Sequence, residues 1–416
     1  MQGSSYDVLV AGGGSAGLAA AVSAARLGAR TLLLERDGVL GGQAPVALVH
    51  SICGLYRLPE GDAPVFANPG FAAEFATLLQ RAGGAQGPLR MGRVWVLPTQ
   101  PAVLARVAEH CARETPGLEV RLHSEITAAS DEELTVFTRG EVEKVRGRTL
   151  IDTTGDGALA ALLGAACEQE SAARLQRPAF IFSLGDVNTA ELEDEGRMRL
   201  ARRIATAVQA GTLPVGALGA ALRASGQGSE VFVTIDLAAG ADYEPTSMVC
   251  RAELEMEGRA LADLLTVFLR AEAPGFARCA ISAMPARVGV RESRRIVGQY
   301  RLEAADLECG AVFDDAVALA TWPIELRETN KGPRLRYPDG DRPCEIPLRA
   351  LRFLGHERRF MAGRCMAASH EAQASVRVIG TCLATGEAAG FAAALQALGG
   401  HCDAASVRAV RARFTT

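Results

Sequence analysis

Six residues near the start of the chain, Gly12-Gly13-Gly14-Ser15-Ala16-Gly17, set a G-x-G-x-x-G spacing between segments of different character. Before them, Tyr6-Asp7-Val8-Leu9-Val10 reads as a short buried strand; after them an alanine-rich helix runs to about Leu27. Arg30 through Leu34 is then a second strand, ending at Glu35. In that setting each glycine has its own role. Gly12 permits the tight turn, Gly14 lets a pyrophosphate approach the backbone, and Gly17 lets helix and strand pack closely. Ser15 and Ala16 open the helix, whose free N–H groups and dipole favour phosphate charge. Glu35 falls where a carboxylate can accept hydrogen bonds from ribose hydroxyls. The chain is therefore expected to begin with a Rossmann-like α/β dinucleotide-binding unit.

A length of 416 residues is too great for one small core and suits two domains. Apolar residues at 49% and charged residues at 22% describe a folded globular chain. The net charge of −4 gives no electrostatic case for nucleic acid or an anionic membrane. Basic character comes almost wholly from arginine, with lysine only at 144 and 331, which we read as a GC-rich bacterial coding bias. Met1 through Ser5 shows no basic segment leading into an apolar stretch, so no signal peptide is expected. The small-residue stretches at 11–28 and 379–400 are broken by glycines, Arg26 and Glu387, which suits buried helices better than membrane spans. The ten cysteines form no CxxC pair and no zinc spacing, so a metal-free, cytoplasmic, thiol-reduced protein is expected.

After the second strand, a Gly- and Pro-rich segment covers roughly 36–70. Helical periodicity follows at 70–82 and 101–113, then strands near 119–123, 133–138 and 148–152. From about 166 to 345 the composition changes, with charged helices expected over 191–224 and 249–272 around a strand at 231–235. From Phe360 the small-residue character returns, as a strand into Gly363 and a helix ending near Leu398. The two ends share a character the middle lacks. We expect a discontinuous cofactor domain over 1–165 and 346–416, with an inserted α+β substrate domain over 166–345.

The G-x-G-x-x-G turn does not by itself separate FAD from NAD. The glycines Gly41-Gly42, followed by Gln43 and Ala44, suit a longer dinucleotide that continues past the second strand. Four stretches then carry a family resemblance: Asp7 through Ala44, Thr149 through Ala160 (TLIDTTGDGALA), Val288 through Leu307 and Phe360 through Ala394. Together they resemble the glutathione-reductase-type FAD-dependent oxidoreductases, and closely the bacterial group labelled simply FAD-dependent oxidoreductase. The resemblance is weak over roughly 166–280. It implies FAD as cofactor, with Thr154-Gly155-Asp156 near its adenosine end and adenine resting near Ile126. It implies that Gly363-Arg364 lies beside the pyrophosphate and ribityl chain, and that Arg36 belongs to the same site. It also implies that Gly380-Thr381-Cys382 starts a helix aimed at the flavin's pyrimidine edge. A helix N-terminus would stabilise the negative charge of reduced flavin. A closely packed small-residue helix is the alternative reading of that segment.

Candidates for the chemistry are Arg291, His370, Arg377 and Cys53. Arg291 sits in Arg291-Glu292-Ser293-Arg294-Arg295, within the 288–307 stretch expected to reach the flavin site. Arginine suits forked recognition of a carboxylate or a flavin carbonyl; a solvated helix face with an internal Glu292 ion pair is the alternative. His370 lies between the two C-terminal glycine turns and titrates near neutral pH, so it is a candidate acid or base. Arg377 shares that loop. His50 and Cys53 follow the Gly41-Gly42 loop and could link to flavin, supply a reactive thiol or simply pack.

No second strand–glycine–helix unit for NAD(P)H is found. The expected function is oxidation of a small organic molecule by hydride transfer to flavin N5. The alternatives are a monooxygenase or ene-reductase fed by external NAD(P)H, and a flavin-binding assembly subunit without turnover. The expected partner is a small-molecule substrate, with no nucleic acid or membrane; a homo-oligomer is left open.

Overall fold

The computed structural model describes residues 5–58, 63–329 and 332–415. Its main sheet has seven strands. Leu118–Arg121, Thr31–Leu34, Ser5–Ala11 and Glu141–Asp152 lie side by side and parallel. Arg359–Met361 runs parallel beside the end of the last strand, while Glu133–Thr138 and Glu125–Ala129 extend its beginning antiparallel. Register places Ala11 beside both Leu34 and Asp152, and Met361 beside Asp152. The carboxyl ends of four strands therefore share one edge, where open α/β sheets bind ligands.

Two helices cover this sheet by unusually close packing. A methyl group on Gly386 or Gly390 of helix Ile379–Ala397 would come within 2.1 or 2.2 Å of the carbonyl oxygens of Ala16 and Ala20 on helix Ser15–Arg26. Small residues let the two backbones meet, which accounts for the composition of both stretches. No single helix among the described residues is long and apolar enough to cross a membrane. The bent pair His370–Val376 and Ile379–Ala397 has such a composition, but is almost wholly buried here.

The middle of the chain has its own core. Strands Ala221–Ala224, Val231–Asp236, Ala179–Gly185 and Ala280–Ala283 form an antiparallel sheet in that order. Period-two alternation divides its faces. Phe180, Phe182, Val231, Val233 and Ile235 enter the core, packing with Leu254, Leu261 and Leu265 of helix Met248–Glu272. Ile181, Thr234 and Arg223 lie on the opposite face and line a cavity together with His50, Cys53 and Trp322.

Three expectations differ from the structure. The helix expected over 191–224 ends at Gln209, and Ala221–Ala224 is a strand. Gly211, at φ +73°, and Pro214 stop the helix between them. Second, residues expected in the insert, including Val317, Ala320 and Cys344, pack into the first core, and the core of the middle segment ends near Val290. Third, the alternative reading of 291–295 as a solvated helix face does not hold, although its internal ion pair is present between Arg295 and Glu292. Gly289 exchanges both backbone hydrogen bonds with Ala179, holding the segment extended, and Glu292 and Arg295 are buried.

Candidate active site

At the carboxyl edge of the main sheet lies an elongated cleft with about 1280 Å³ of empty space, its open mouth included. Gly12, at φ +97°, packs on the backbone of Thr153, where a methyl group would meet the carbonyl oxygen at 2.6 Å. A methyl group on Gly17 would fall 1.7 Å from the Gly12 carbonyl. Gly13 donates to Glu35 and its carbonyl accepts from Gly41, stitching the first glycine turn to the second. Glu35 also accepts from Asp37 N–H at 2.8 Å; burial raises its pKa above the usual carboxylate range.

Most residues expected at the cofactor meet in this cleft. Gly12, Gly14, Ser15, Ala16, Glu35 and Arg36 line it, with Gly42, Gln43 and Ile126. Thr154, Gly155 and Asp156 line the same cleft, as do Gly363, Arg364, Arg377 and Cys382. Gly17, Ala44, Gly380 and Thr381 are buried just behind the lining. The Gly380 N–H donates to the Cys53 carbonyl at 2.9 Å. Ile379 takes its place on the cleft wall.

Asp156 is the electrostatic hub. Its carboxylate accepts from Arg251 at 2.7 Å, Arg364 at 2.6 Å and the Ser293 hydroxyl at 2.9 Å, with Arg36 at 3.8 Å. Burial alone would raise this carboxyl, but Arg364 and Arg251 outweigh it and hold the group well below the usual range. Arg251 and Arg287 both come from the insert and both line the cleft. Neither is among the residues expected from sequence. Arg251 sits on the apolar stripe of its helix, in step with Leu254, Gly258 and Leu261, and that misplaced charge is the readable signal.

The cleft fits FAD on two structural grounds. Gly14 leaves its flank open, since a methyl group there would meet no protein atom nearer than 3.8 Å. Gln43 Oε1, Arg287 Nε and Arg377 Nε are buried without a hydrogen-bond partner among the described residues, which suits a polar ligand.

A second chamber, of about 1460 Å³ with its mouth, continues from the cleft. The two share Gln43, Val290, Arg364, Arg377 and Ile379. The inner face of the insert sheet forms one wall of the chamber through Ile181, Arg223 and Thr234. His50 and Cys53 also line it. The His50 ring stacks on Phe232 with centroids 4.3 Å apart. Its Nδ1 lies 3.2 Å from the Leu48 carbonyl, an acceptor, so that nitrogen carries the hydrogen and Nε2 is bare. Burial lowers this imidazole to a pKa of about 4. Burial pushes the Cys53 thiol up to about 12, so it stays protonated at neutral pH.

Five arginines line the chamber, and the four besides Arg364 contribute in different ways. Arg291 donates to Asp236 at 2.7 Å and to the Arg177 carbonyl at 2.6 Å. Arg327 bridges Asp236 and Glu325 at 3.0 and 2.7 Å. Burial would raise Glu325, but Arg327 and Arg377 bring it down to about 2. Among the described residues the Arg377 side chain hydrogen-bonds only to Gln176, at 3.2 Å, and burial lowers it to about 10. Arg223, also lowered by burial, touches the Met91 sulfur at 3.4 Å.

His370 lines neither cavity. Its Nδ1 lies 2.9 Å from both oxygens of Glu292 and its Nε2 3.3 Å from Glu328. Burial opposes its charge, but hydrogen bonding to Glu292 prevails and raises its pKa. Glu292 also accepts from Gln176 N–H, and the Gln176 side chain meets Gln373 and Arg377. The histidine thus stands behind the chamber wall.

A family model described as FAD dependent oxidoreductase matches residues 7–413. No curated protein matches the chain. Among solved structures, a geranylgeranyl bacteriochlorophyll reductase-like protein from Thermoplasma acidophilum is similar at 13% identity and a TM-score of 0.46, covering 99% of this chain and 84% of that one. The p-nitrophenol 4-monooxygenase PnpA from Pseudomonas putida is similar at 12% identity and a TM-score of 0.46, over 99% and 84%. A flavoprotein/dehydrogenase from Cytophaga hutchinsonii is similar at 12% identity and a TM-score of 0.45, over 96% and 80%.

Proposed function

The chain belongs to the FAD dependent oxidoreductase family, and on that premise we propose that it is a dehydrogenase for a small organic substrate bound in the second chamber. The observation that carries this reading is the shared wall of Gln43, Val290, Arg364, Arg377 and Ile379, which makes the chamber continuous with the cofactor cleft. The cofactor is FAD, which when bound supplies a two-electron acceptor.

Gly12, Gly14 and Ser15 would hold the pyrophosphate against the helix N-terminus, and Glu35 would take the ribose. Arg377 orients the reacting end of the substrate, because its guanidinium belongs to both cavities and has unused hydrogen-bonding capacity. The bare Nε2 of His50 accepts a hydrogen bond from the substrate, and the proton released on oxidation passes to solvent, because burial keeps this ring neutral. Arg291, spent on Asp236 and a carbonyl, shapes the wall, while His370 is a positioning residue acting through Glu292 and Gln176. Cys53 contributes a neutral thiol to the lining.

The test is anaerobic screening of small metabolites for loss of the oxidised flavin spectrum in purified holoprotein. Bleaching by an organic compound without nicotinamide supports a dehydrogenase. Bleaching by NADPH alone, with no organic reductant found, overturns it in favour of a monooxygenase or ene-reductase.

A further inference from the structure

Charge in the second chamber does not balance. Asp236 and Glu325 are the carboxylates that neutralise its arginines, and they alternate with Arg291 and Arg327 in one chain of ion pairs. Burial would favour protonated acids, yet Arg291 and Arg327 keep Asp236 low and Arg327 and Arg377 keep Glu325 low, so both stay ionised. Arg364 is matched by Asp156. Two guanidinium groups remain. Arg377 serves the wall shared with the cofactor cleft; Arg223 stands away from it, on strand Ala221–Ala224 of the insert, lining the chamber alone.

Among the described residues no carboxylate lies within ion-pairing distance of Arg223. A thioether sulfur is a weak acceptor and cannot offset a full charge. The head of Arg223 remains reachable by water, yet enough protein surrounds it to lower its pKa. A cation left this way in a concave site is poised for an anion. The chamber lining also offers apolar surface, in Met91, Val94, Val96, Trp322, Leu335 and Tyr337.

We propose that Arg223 anchors the carboxylate of an organic acid whose apolar body packs on Val94, Val96 and Trp322, and so determines specificity. The inference rests on the reading of this chamber as the substrate site. The two arginines without a carboxylate partner then divide the substrate between them. Arg223 holds the anionic tail, and Arg377 the end that faces the cofactor. Arginine suits the first role because its planar fork meets both carboxylate oxygens at once.

The experiment titrates FAD-loaded protein with benzoate, phenylacetate and hexanoate, each beside its amide, and follows perturbation of the flavin spectrum. At least one acid should bind, and at least about tenfold more tightly than its amide. Arg223→Gln should erase that preference while flavin content stays unchanged, and Arg223→Lys should keep part of it. Amides binding as well as acids, no acid binding, or an acid preference that survives in Arg223→Gln would each overturn the proposal. A bound acid need not react, so failure of the dehydrogenase reading would leave this result standing.

Discussion

Arg251 and Asp156 meet at 2.7 Å with both side chains buried, joining the long helix of the insert to the loop that follows strand Glu141–Asp152 of the cofactor sheet. The same carboxylate accepts from Arg364, so one acid holds together segments distant in the chain. Removing one partner of a buried charge cluster leaves the others unpaired, at a cost of about 3–5 kcal/mol. Asp156→Asn should therefore destabilise the protein by about that amount in denaturant unfolding, and release FAD more readily. Because the folded carboxyl is held below its unfolded pKa, its contribution is present above about pH 4 and lost only as pH falls further. An unchanged midpoint at pH 7 would contradict this account.

Gly14 and Gly17 belong to one motif but should fail differently. Gly14 has φ −68° and an open flank, so Gly14→Ala should fold normally. Its methyl group would occupy the phosphate side of the turn, and FAD affinity should fall by at least about tenfold. Gly17→Ala drives a carbon 1.7 Å from the Gly12 carbonyl and should give little folded protein. Flavin-to-protein absorbance ratios and apoprotein melting separate the two; a fully flavin-loaded Gly14→Ala would refute the assignment.

Legibility tracks distance along the chain. Gly12, Gly14, Glu35 and Gly42 are readable because a strand, a turn and a helix contained within about forty residues fix their geometry. The residues that complete the site from the insert are not. Arg251 lies in a helix that is expected, but its place on the buried stripe shows only once the helix is set against the insert sheet. Arg223 falls inside a segment expected to be helical, where the alternation of Ala221–Ala224 is too short to announce a strand. Nor does any local pattern show that Val317 and Cys344 pack against the first core instead of the second. That is decided by long-range packing.

The stack of His50 on Phe232 carries a pH signature. Folding lowers this imidazole to about 4, from an ordinary value near 6.5. The unfolded chain therefore binds the proton more readily, and stability falls as pH drops from about 6.5 to 4. At about 1.4 kcal/mol per unit the loss is at most about 3.5 kcal/mol. His50→Phe keeps an aromatic ring on Phe232 and should flatten this limb of the stability profile. An equally steep fall in the variant would place the titrating group elsewhere.

Arg377 and His370 differ in what their removal should do. Arg377 lines both cavities, whereas His370 touches neither and reaches Arg377 only through Glu292 and Gln176. Loss of one oriented donor at a reacting centre costs about a hundredfold or more in rate. Arg377→Gln should slow anaerobic flavin reduction by that much, with FAD retained. His370→Gln should slow it less than about tenfold, since it disturbs position and not contact. Its signature is thermodynamic instead. Partners raise the folded pKa of His370, so its contribution is present below about 6.5 and is lost as pH rises through the higher folded value. Wild type should lose stability along that alkaline limb, and His370→Gln should not. Stopped-flow reduction and pH-resolved unfolding of both variants give the comparison. Equal rate losses in the two would return His370 to the reacting groups.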